Sequence, residues 1–424
     1  MNKVFNVFKI PELRKKLLII FFIFFVFRIL ATIPIPGVNE AALSKFFSSS
    51  QMLGFLNMFS GGALSRLSIV MLGLGPYITA TIIMQLLTLV FPNLKALYYE
   101  EGEQGRAKFN RYSRYLTVPL AAINALGFLK ILASQGVLPA GQGFWITFTN
   151  VVVVTAGSMV MVWLGELITE QQMGNGISLL IFAGIVSGLP MMIRNAIATY
   201  TPTMFTTYLS FLVLSLVITV AIVVVNEGVR KVPISYARRV RGNKLYGGVS
   251  SYLPIRVNQA GVIPIIFAVS VLMFPQVLAQ MVTAFSENIG LKLHSLVMGF
   301  SSHQVLYGAV YFFLVFIFTY FYTAVTFDPK EISKNLQRSG GFVPGIRPGV
   351  PTATFIQQII TRITLFGALF LGLIAILPLL VQAILRTNVL TIGGVALLIA
   401  VEVTLESANQ IDSQLTIREY EGIR

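Results

Sequence analysis

Ten apolar runs recur along the chain, each close to the length that crosses a bilayer. They predict membrane-spanning helices at 17–34, 70–91, 116–134, 146–168, 177–193, 207–226, 259–280, 305–326, 358–380 and 389–406. A helix needs ~20 mostly apolar residues to cross ~30 Å of hydrocarbon. The first run, Leu17 to Pro34, is interrupted only by Arg28. It does not read as a cleaved signal peptide. It is too long, and it ends in Ile33-Pro34-Ile35-Pro36-Gly37 rather than at a small-residue cleavage site. The run at 177–193 is short and contains Gly184 and Gly188.

Composition agrees with the runs. Of 424 residues, 55% are hydrophobic and 11% charged, against about 25% charged in soluble proteins. The mean hydropathy is +0.80. An ordinary soluble domain and a disordered chain are both excluded. There is no Cys, and His294 and His303 are the only histidines. A thiolate or histidine metal site, a Ser/His/Asp relay and a phosphate-binding loop therefore lack their residues. Neither enzyme chemistry nor a cofactor is expected.

The net charge of +15 is distributed unevenly. If the runs cross in turn, 24 Lys and Arg fall on one side, in the N-terminus, three long loops, the start of span 9 and the tail. Six fall on the other side: Lys45, Arg66, Lys130, Arg194, Lys292 and Arg386. That asymmetry predicts cytoplasmic termini, as an even number of spans requires. Ten spans divide into halves of five, 1–193 and 194–424. Five is odd, so the second half starts on the opposite side from the first. Related halves would be inverted repeats around a central pathway.

Ionisable groups are scarce in the spans. Glu166, Glu406 and Arg28 lie near span ends, where long side chains snorkel or pair. Glu402 is deeper, and both a structural and a functional role stay open for it. The spans are otherwise rich in Ile, Val, Leu and Gly. An apolar constriction seals against ions by dewetting, which suits a large, chemically varied passenger.

Two inner loops, 228–258 and 327–357, are long and basic. In the first, Val232, Ile234 and Tyr236 alternate with other residues, and Ser251 to Val257 mirrors them. Period-two flanks around a polar, Gly-containing turn predict a hairpin. Its tip carries Arg238, Arg239, Arg241 and Lys244 and no carboxylate. The tip is either a topological signal alone or a dock for a polyanion or acidic protein. The second loop opens with Asp328-Pro329-Lys330, a helix start with Pro at the first position. It continues through two Pro and four Gly between Ser339 and Gly349, holding Arg347 between bends. Before span 2, the stretch at about 55–69 is apolar but too short to cross. It predicts a re-entrant or plugging half-helix, or an interfacial helix lying flat.

Nine stretches together resemble the SecY family, the central subunits of the bacterial protein-conducting channel. They are Ile33-Pro-Ile-Pro-Gly37, Met58-Phe-Ser-Gly-Gly-Ala-Leu-Ser-Arg66, Pro76-Tyr-Ile-Thr-Ala-Thr-Ile-Ile-Met-Gln85, Trp163-Leu-Gly-Glu166, Gly174-Asn-Gly-Ile-Ser178, Phe182-Ala-Gly-Ile185, Val257-Asn-Gln-Ala-Gly-Val-Ile-Pro264, Phe342-Val-Pro-Gly-Ile-Arg-Pro-Gly349 and Thr361-Arg-Ile-Thr364. They occur in family order over essentially the whole chain.

The resemblance implies an all-α, polytopic membrane protein, with ten transmembrane helices in two inverted five-helix halves. The halves form a clamshell, closed by a re-entrant plug half-helix. It implies that the plug includes Phe59, Ser60, Gly61, Gly62, Ala63, Leu64, Ser65 and Arg66. The constriction ring would fall on Ile78, Ile82, Ile181, Ile185, Ile266 and Ile399. A lateral gate would use Gln85, Asn124 and Asn258, for which ordinary interhelical bonding is the alternative. Docking of the motor ATPase SecA or of the ribosome, through its ribosomal RNA, would use Arg347. The tip residues Arg238, Arg239, Arg241 and Lys244 match by position only. SecE and SecG are the implied small partners, and signal-sequence-bearing polypeptides and membrane lipids the implied passengers and surroundings. The location implied is the bacterial cytoplasmic membrane. Glu402 departs from the family pattern, and the tail is shorter than in some members. The alternative function is a secondary transporter of a small solute, which would need mid-membrane ionisable groups around a binding site.

Overall fold

The computed structural model describes residues 10–36, 42–43, 60, 62–99, 101–134, 136–139, 143–198, 200–202, 205–236, 239–241, 244–246, 250–285, 287–385 and 394–421. In chain order the elements are α1 (Pro11–Leu30), α2 (Gly75–Val90), α3 (Pro92–Tyr99), α4 (Gly102–Ser134), α5 (Phe144–Glu170), α6 (Gly176–Ala198) and α7 (Phe205–Glu227). Four strands follow: β1 (Val229–Tyr236), β2 (Arg239–Arg241), β3 (Lys244–Tyr246) and β4 (Ser250–Arg256). The rest are α8 (Ile263–Phe285), α9 (Glu287–Ser302), α10 (Gln304–Thr326), α11 (Pro329–Arg338), β5 (Gly341–Phe342), α12 (Val350–Leu385) and α13 (Gly394–Glu421). The fold is predominantly helical.

Each of the ten apolar runs coincides with one of these helices for most of its length. The residues 386–393, where the tenth run begins, lie outside the described set. Several helices overrun their apolar segment. The basic stretch after span 2 is not a loop but helix α3 and the first turns of α4, and α13 continues well past Glu406. Hydropathy marks the bilayer, whereas helix length is set by backbone hydrogen bonding, which continues into water. By length and composition alone, four helices among the described residues qualify as spans: α5, α7, α10 and α12. The sharply bent pair α2 and α3 makes a fifth if counted as one span.

The chain packs as two compact units. One comprises Met1–Pro202, Met273–Ser301 and Val403–Arg424. The other comprises Thr203–Leu272 and Ser302–Glu402.

In the first unit, α5 turns back into α6 through the Gly174-Asn175-Gly176 stretch. Asn175 caps α6, its Oδ1 accepting from the Ile177 and Ser178 amides at 3.1 and 3.3 Å. Thr169 ties the turn from the other side. Its Oγ1 accepts from the Gly176 amide at 3.0 Å and donates to the Gly165 carbonyl at 2.9 Å. The backbones meet so closely that a Cβ on residue 176 would strike the Gly165 carbonyl oxygen. The Trp163–Glu166 and Gly174–Ser178 motifs are thus two sides of one contact. Arg114 of α4 and Glu166 of α5 form an ion pair at 2.9 Å. The start of α1 also meets the later part of α13. Leu13 packs on Leu415, flanked by Ile10, Leu17 and Ile411, and Lys16 donates to Gln414 at 3.4 Å.

In the second unit, the predicted hairpin is present. β1 and β4 pair antiparallel, with Val232 opposite Leu253 and Ile234 opposite Ser251. β2 and β3 extend it as a second small hairpin, Arg241 opposite Lys244. β5, from the other basic loop, joins β1 on its free edge, so the sheet order is β4-β1-β5. Under the sheet, Val232, Ile255, Val343, Ile356 and Ile360 are buried together. The two basic loops and the start of α12 therefore share one hydrophobic core.

Candidate functional site

Arg347 is exposed, but the backbone beneath it is fixed by its neighbours. Asp328 caps α11 by accepting from the Lys330 amide at 2.8 Å, with Pro329 at the first position, as the sequence predicts. Ser333 of α11 donates to the Gly349 carbonyl at 2.7 Å. Thr352 of α12 donates to the Arg347 carbonyl at 2.9 Å. Gly345 and Gly349 bend the chain with φ of +82° and +98°, values that favour glycine. Ile346 packs into the shared core, so the exposed Arg347 stands on a fixed backbone. Lys231 lies over the Tyr252 ring at 4.9 Å on the adjoining sheet. Among the tip residues, Arg239, Arg241 and Lys244 belong to β2 and β3; Arg238 lies outside the described residues.

The six isoleucines of the expected ring divide between the units. Ile78 and Ile82 lie one turn apart on α2, and Ile181 and Ile185 one turn apart on α6. Residues four apart share a helix face. Ile82, Ile181 and Ile185 are buried and Ile78 half-buried. In the second unit, Ile266 is half-buried in the first turn of α8 and Ile399 is buried on α13.

Of the expected plug, Phe59 and Gly61 lie outside the described residues. Ser60 and residues 62–66 are described, and from residue 62 the chain runs on in turns to residue 74 and into α2. Ser60 Oγ accepts from the Leu64 amide at 3.1 Å, and Ser65 donates to the Gly62 carbonyl at 2.9 Å. Ala63, Leu64, Leu67 and Met71 are buried, whereas Arg66 is exposed. The segment is clasped to the chain following α1. The Ile35 amide donates to the Leu67 carbonyl at 2.8 Å and the Ile69 amide to the Ile33 carbonyl at 3.0 Å. Ile33 and Ile35 of the Ile33–Gly37 motif thus hold the stretch that follows the expected plug residues.

The expected gate amides are spread over three helices or their leads. Gln85 is half-buried on α2 and Asn124 half-buried on α4. Asn258, just before α8, is buried and bonded inside its own unit. Its Nδ2 donates to Asn226 Oδ1 of α7 at 2.9 Å, and its Oδ1 accepts from the Gly261 amide at 3.1 Å. The same turn accounts for Glu402, whose carboxylate packs where a Cβ on Gly261 would stand. Gly261 has φ of +62°, so the turn needs glycine for its conformation and for room. Arg28, the ionisable group of the first span, donates to Ser187 Oγ of α6 at 3.3 Å.

Sequence reasoning missed Ser333 and Thr352, which hold the Arg347 loop, and the strand pairing of β5 with β1. Their only signal is the Pro and Gly density of that loop.

A family model described as SecY matches residues 68–408. The Protein translocase subunit SecY of Thermotoga maritima is 43% identical over 428 residues, covering 98% of this chain and 96% of that protein. That of Mycobacterium tuberculosis is 39% identical over 430 residues, covering 97% of each. Among solved structures, "The structure of a protein conducting channel" aligns with a TM-score of 0.63 at 18% identity, over 93% of this chain and 91% of that one. "Sec61 in the Canine ribosome-channel complex from the endoplasmic reticulum" aligns with a TM-score of 0.60 at 17% identity, over 93% and 91%. At those identities the structures speak to the fold. The small-solute transporter alternative finds no support in these matches.

Proposed function

The chain belongs to the SecY family, and we propose that it works as the channel subunit of a bacterial protein translocase, a multi-pass protein of the cytoplasmic membrane with both termini inside. Unfolded secretory polypeptides cross through it, and hydrophobic segments leave it sideways into lipid. The observation that carries this reading is the end-to-end match at 43% identity to a translocase subunit.

We read 1–193 and 194–424 as the two halves of the clamshell. Ile78, Ile82, Ile181, Ile185, Ile266 and Ile399 form its constriction. Branched aliphatic side chains close around an extended peptide without binding it, and they offer an ion no ligand. Residues 59–66 occupy the closed channel as its plug. Gln85, Asn124 and Asn258 lie along the lateral seam. A buried amide holds helices together by bonds that a competing group can replace. A segment in the open seam partitions between channel and lipid according to its hydrophobicity.

The channel itself performs no catalytic step, so its drive comes from partners. SecA and the ribosome dock in turn on the shared cytoplasmic core. Arg347 is the central cation, supported by Arg238, Arg239, Arg241 and Lys244. Ribosomal RNA, a polyanion, suits these side chains. The canine Sec61 structure is a ribosome–channel complex, which favours this dock. SecE and SecG complete the assembly. Proteoliposomes holding the chain and its SecE-like partner test the reading. With SecA, ATP and an unfolded precursor, the precursor becomes protected from external protease. Protection without ATP, or none while SecA is bound, contradicts motor-driven conduction.

A further inference from the structure

The chain has two tryptophans, Trp145 and Trp163, and both lie on α5, eighteen residues apart. At about 3.6 residues per turn this is five full turns, so both leave the same side of the helix. At about 1.5 Å per residue they stand ~27 Å apart along its axis, close to the ~30 Å of bilayer hydrocarbon. Both are exposed, at 74% and 57%.

On the side they share, Phe148, Thr149, Val152, Ala156 and Val160 are exposed and Met159 is half-buried, and no charged residue occurs between the tryptophans. The opposite side is buried, with Val154, Gly157, Met161 and Gly165. At the first end, Phe144 and Phe148 gather around Trp145, with ring centroids at 5.8 and 6.3 Å. At the second end the polar groups begin at once, with Glu166 paired to Arg114.

We propose that this side of α5 faces lipid, with Trp145 and Trp163 seated at the two headgroup boundaries, where they set the depth of the helix in the bilayer. Indole prefers that boundary because its ring is apolar while its N–H needs a polar partner. An uncharged stripe between two indoles, apolar except for Thr149, fits acyl chains. A partner helix would call instead for small or polar residues that permit close approach, and only Thr149 and Ala156 of the six side chains on this side between the tryptophans are of that kind. The proposal rests on α5 crossing the membrane, which its length and apolar character carry.

The test uses the full chain in phosphatidylcholine–phosphatidylglycerol vesicles. Their acyl chains are brominated either close to the headgroup or close to the chain ends. Trp145→Phe leaves Trp163 as the only indole, and Trp163→Phe leaves Trp145. Trp145→Tyr and Trp163→Tyr provide a second pair if the first does not fold. In each variant the fluorescence should fall with the shallow bromines and largely persist with the deep ones. No loss with either lipid means that protein, a second copy or another subunit, covers the stripe, and overturns the proposal. A larger loss with the deep bromines overturns it as well, because the indoles would then sit mid-bilayer. Free quenching by aqueous acrylamide at both positions would show that α5 does not cross the membrane, a failure separable from the other two.

Discussion

Thr352 donates its hydroxyl hydrogen to the carbonyl oxygen of Arg347 at 2.9 Å. This bond, with Ser333 on the Gly349 carbonyl at 2.7 Å, fixes the backbone from which the exposed guanidinium projects. Thr352→Val keeps the side-chain shape and removes the donor. It should cost about 1 kcal/mol of stability and weaken SecA binding. Arg347→Glu leaves the backbone bonds intact and reverses the charge. It should leave stability almost unchanged and abolish docking. Thermal unfolding of the purified chain and SecA co-sedimentation with vesicles separate the two effects. SecA binding by Arg347→Glu at the parent level, or a stability loss in Thr352→Val with no loss of binding, would contradict the account.

Gly176→Ala should destabilise the α5–α6 junction. Its Cβ would strike the Gly165 carbonyl oxygen and press on Ile168, and overpacking of this kind costs about 1–3 kcal/mol. A lower unfolding midpoint in detergent is the expected outcome. Gly188→Ala, where no atom stands near the new Cβ, is the control and should change little.

Arg114 and Glu166 are each about one-third exposed in their side chains, at 38% and 30%. Their pairing is therefore weaker than a fully buried one. A double-mutant cycle through Arg114→Gln and Glu166→Gln should return a coupling on the order of 1 kcal/mol or less. It should shrink at high salt. A coupling of several kcal/mol would contradict this reading.

Polar substitution in the proposed constriction should make the resting channel leak. Ile82→Asn and Ile185→Asn each offer ions a ligand and stabilise water where aliphatic side chains exclude it. Vesicles bearing either variant should lose a potassium-diffusion potential faster than vesicles bearing the parent chain. Val160→Asn, on the exposed side of α5, should not.

Hydrophobic runs are enough to locate ten of the helices, because burial in lipid demands apolar residues in unbroken stretches. Alternation at Val232, Ile234 and Tyr236 was likewise enough for the β1–β4 hairpin. The joining of the two basic loops was not legible. β5 is only Gly341 and Phe342, too short to show any period, and its partner lies about a hundred residues earlier. The helical character of the basic stretch at 102–114 was hidden for a different reason. Its residues favour helix, but hydropathy reports only where lipid begins. Glu402 looked anomalous because its neighbour, Gly261, comes from a turn far off in sequence. For the candidate site, Arg347 could be singled out from its Pro and Gly setting. Ser333 and Thr352 could not, since a hydroxyl that closes a loop leaves no pattern in the chain.

The central claim is that a motor drives unfolded polypeptide through this chain by way of Arg347. The most direct test is protease protection of a signal-bearing precursor in proteoliposomes containing the chain, its SecE-like partner, SecA and ATP, run beside the Arg347→Glu variant. The account predicts ATP-dependent protection with the parent chain and none with the variant, while both proteins are equally folded. Protection that persists undiminished in Arg347→Glu, or that never appears although SecA is bound, would contradict it.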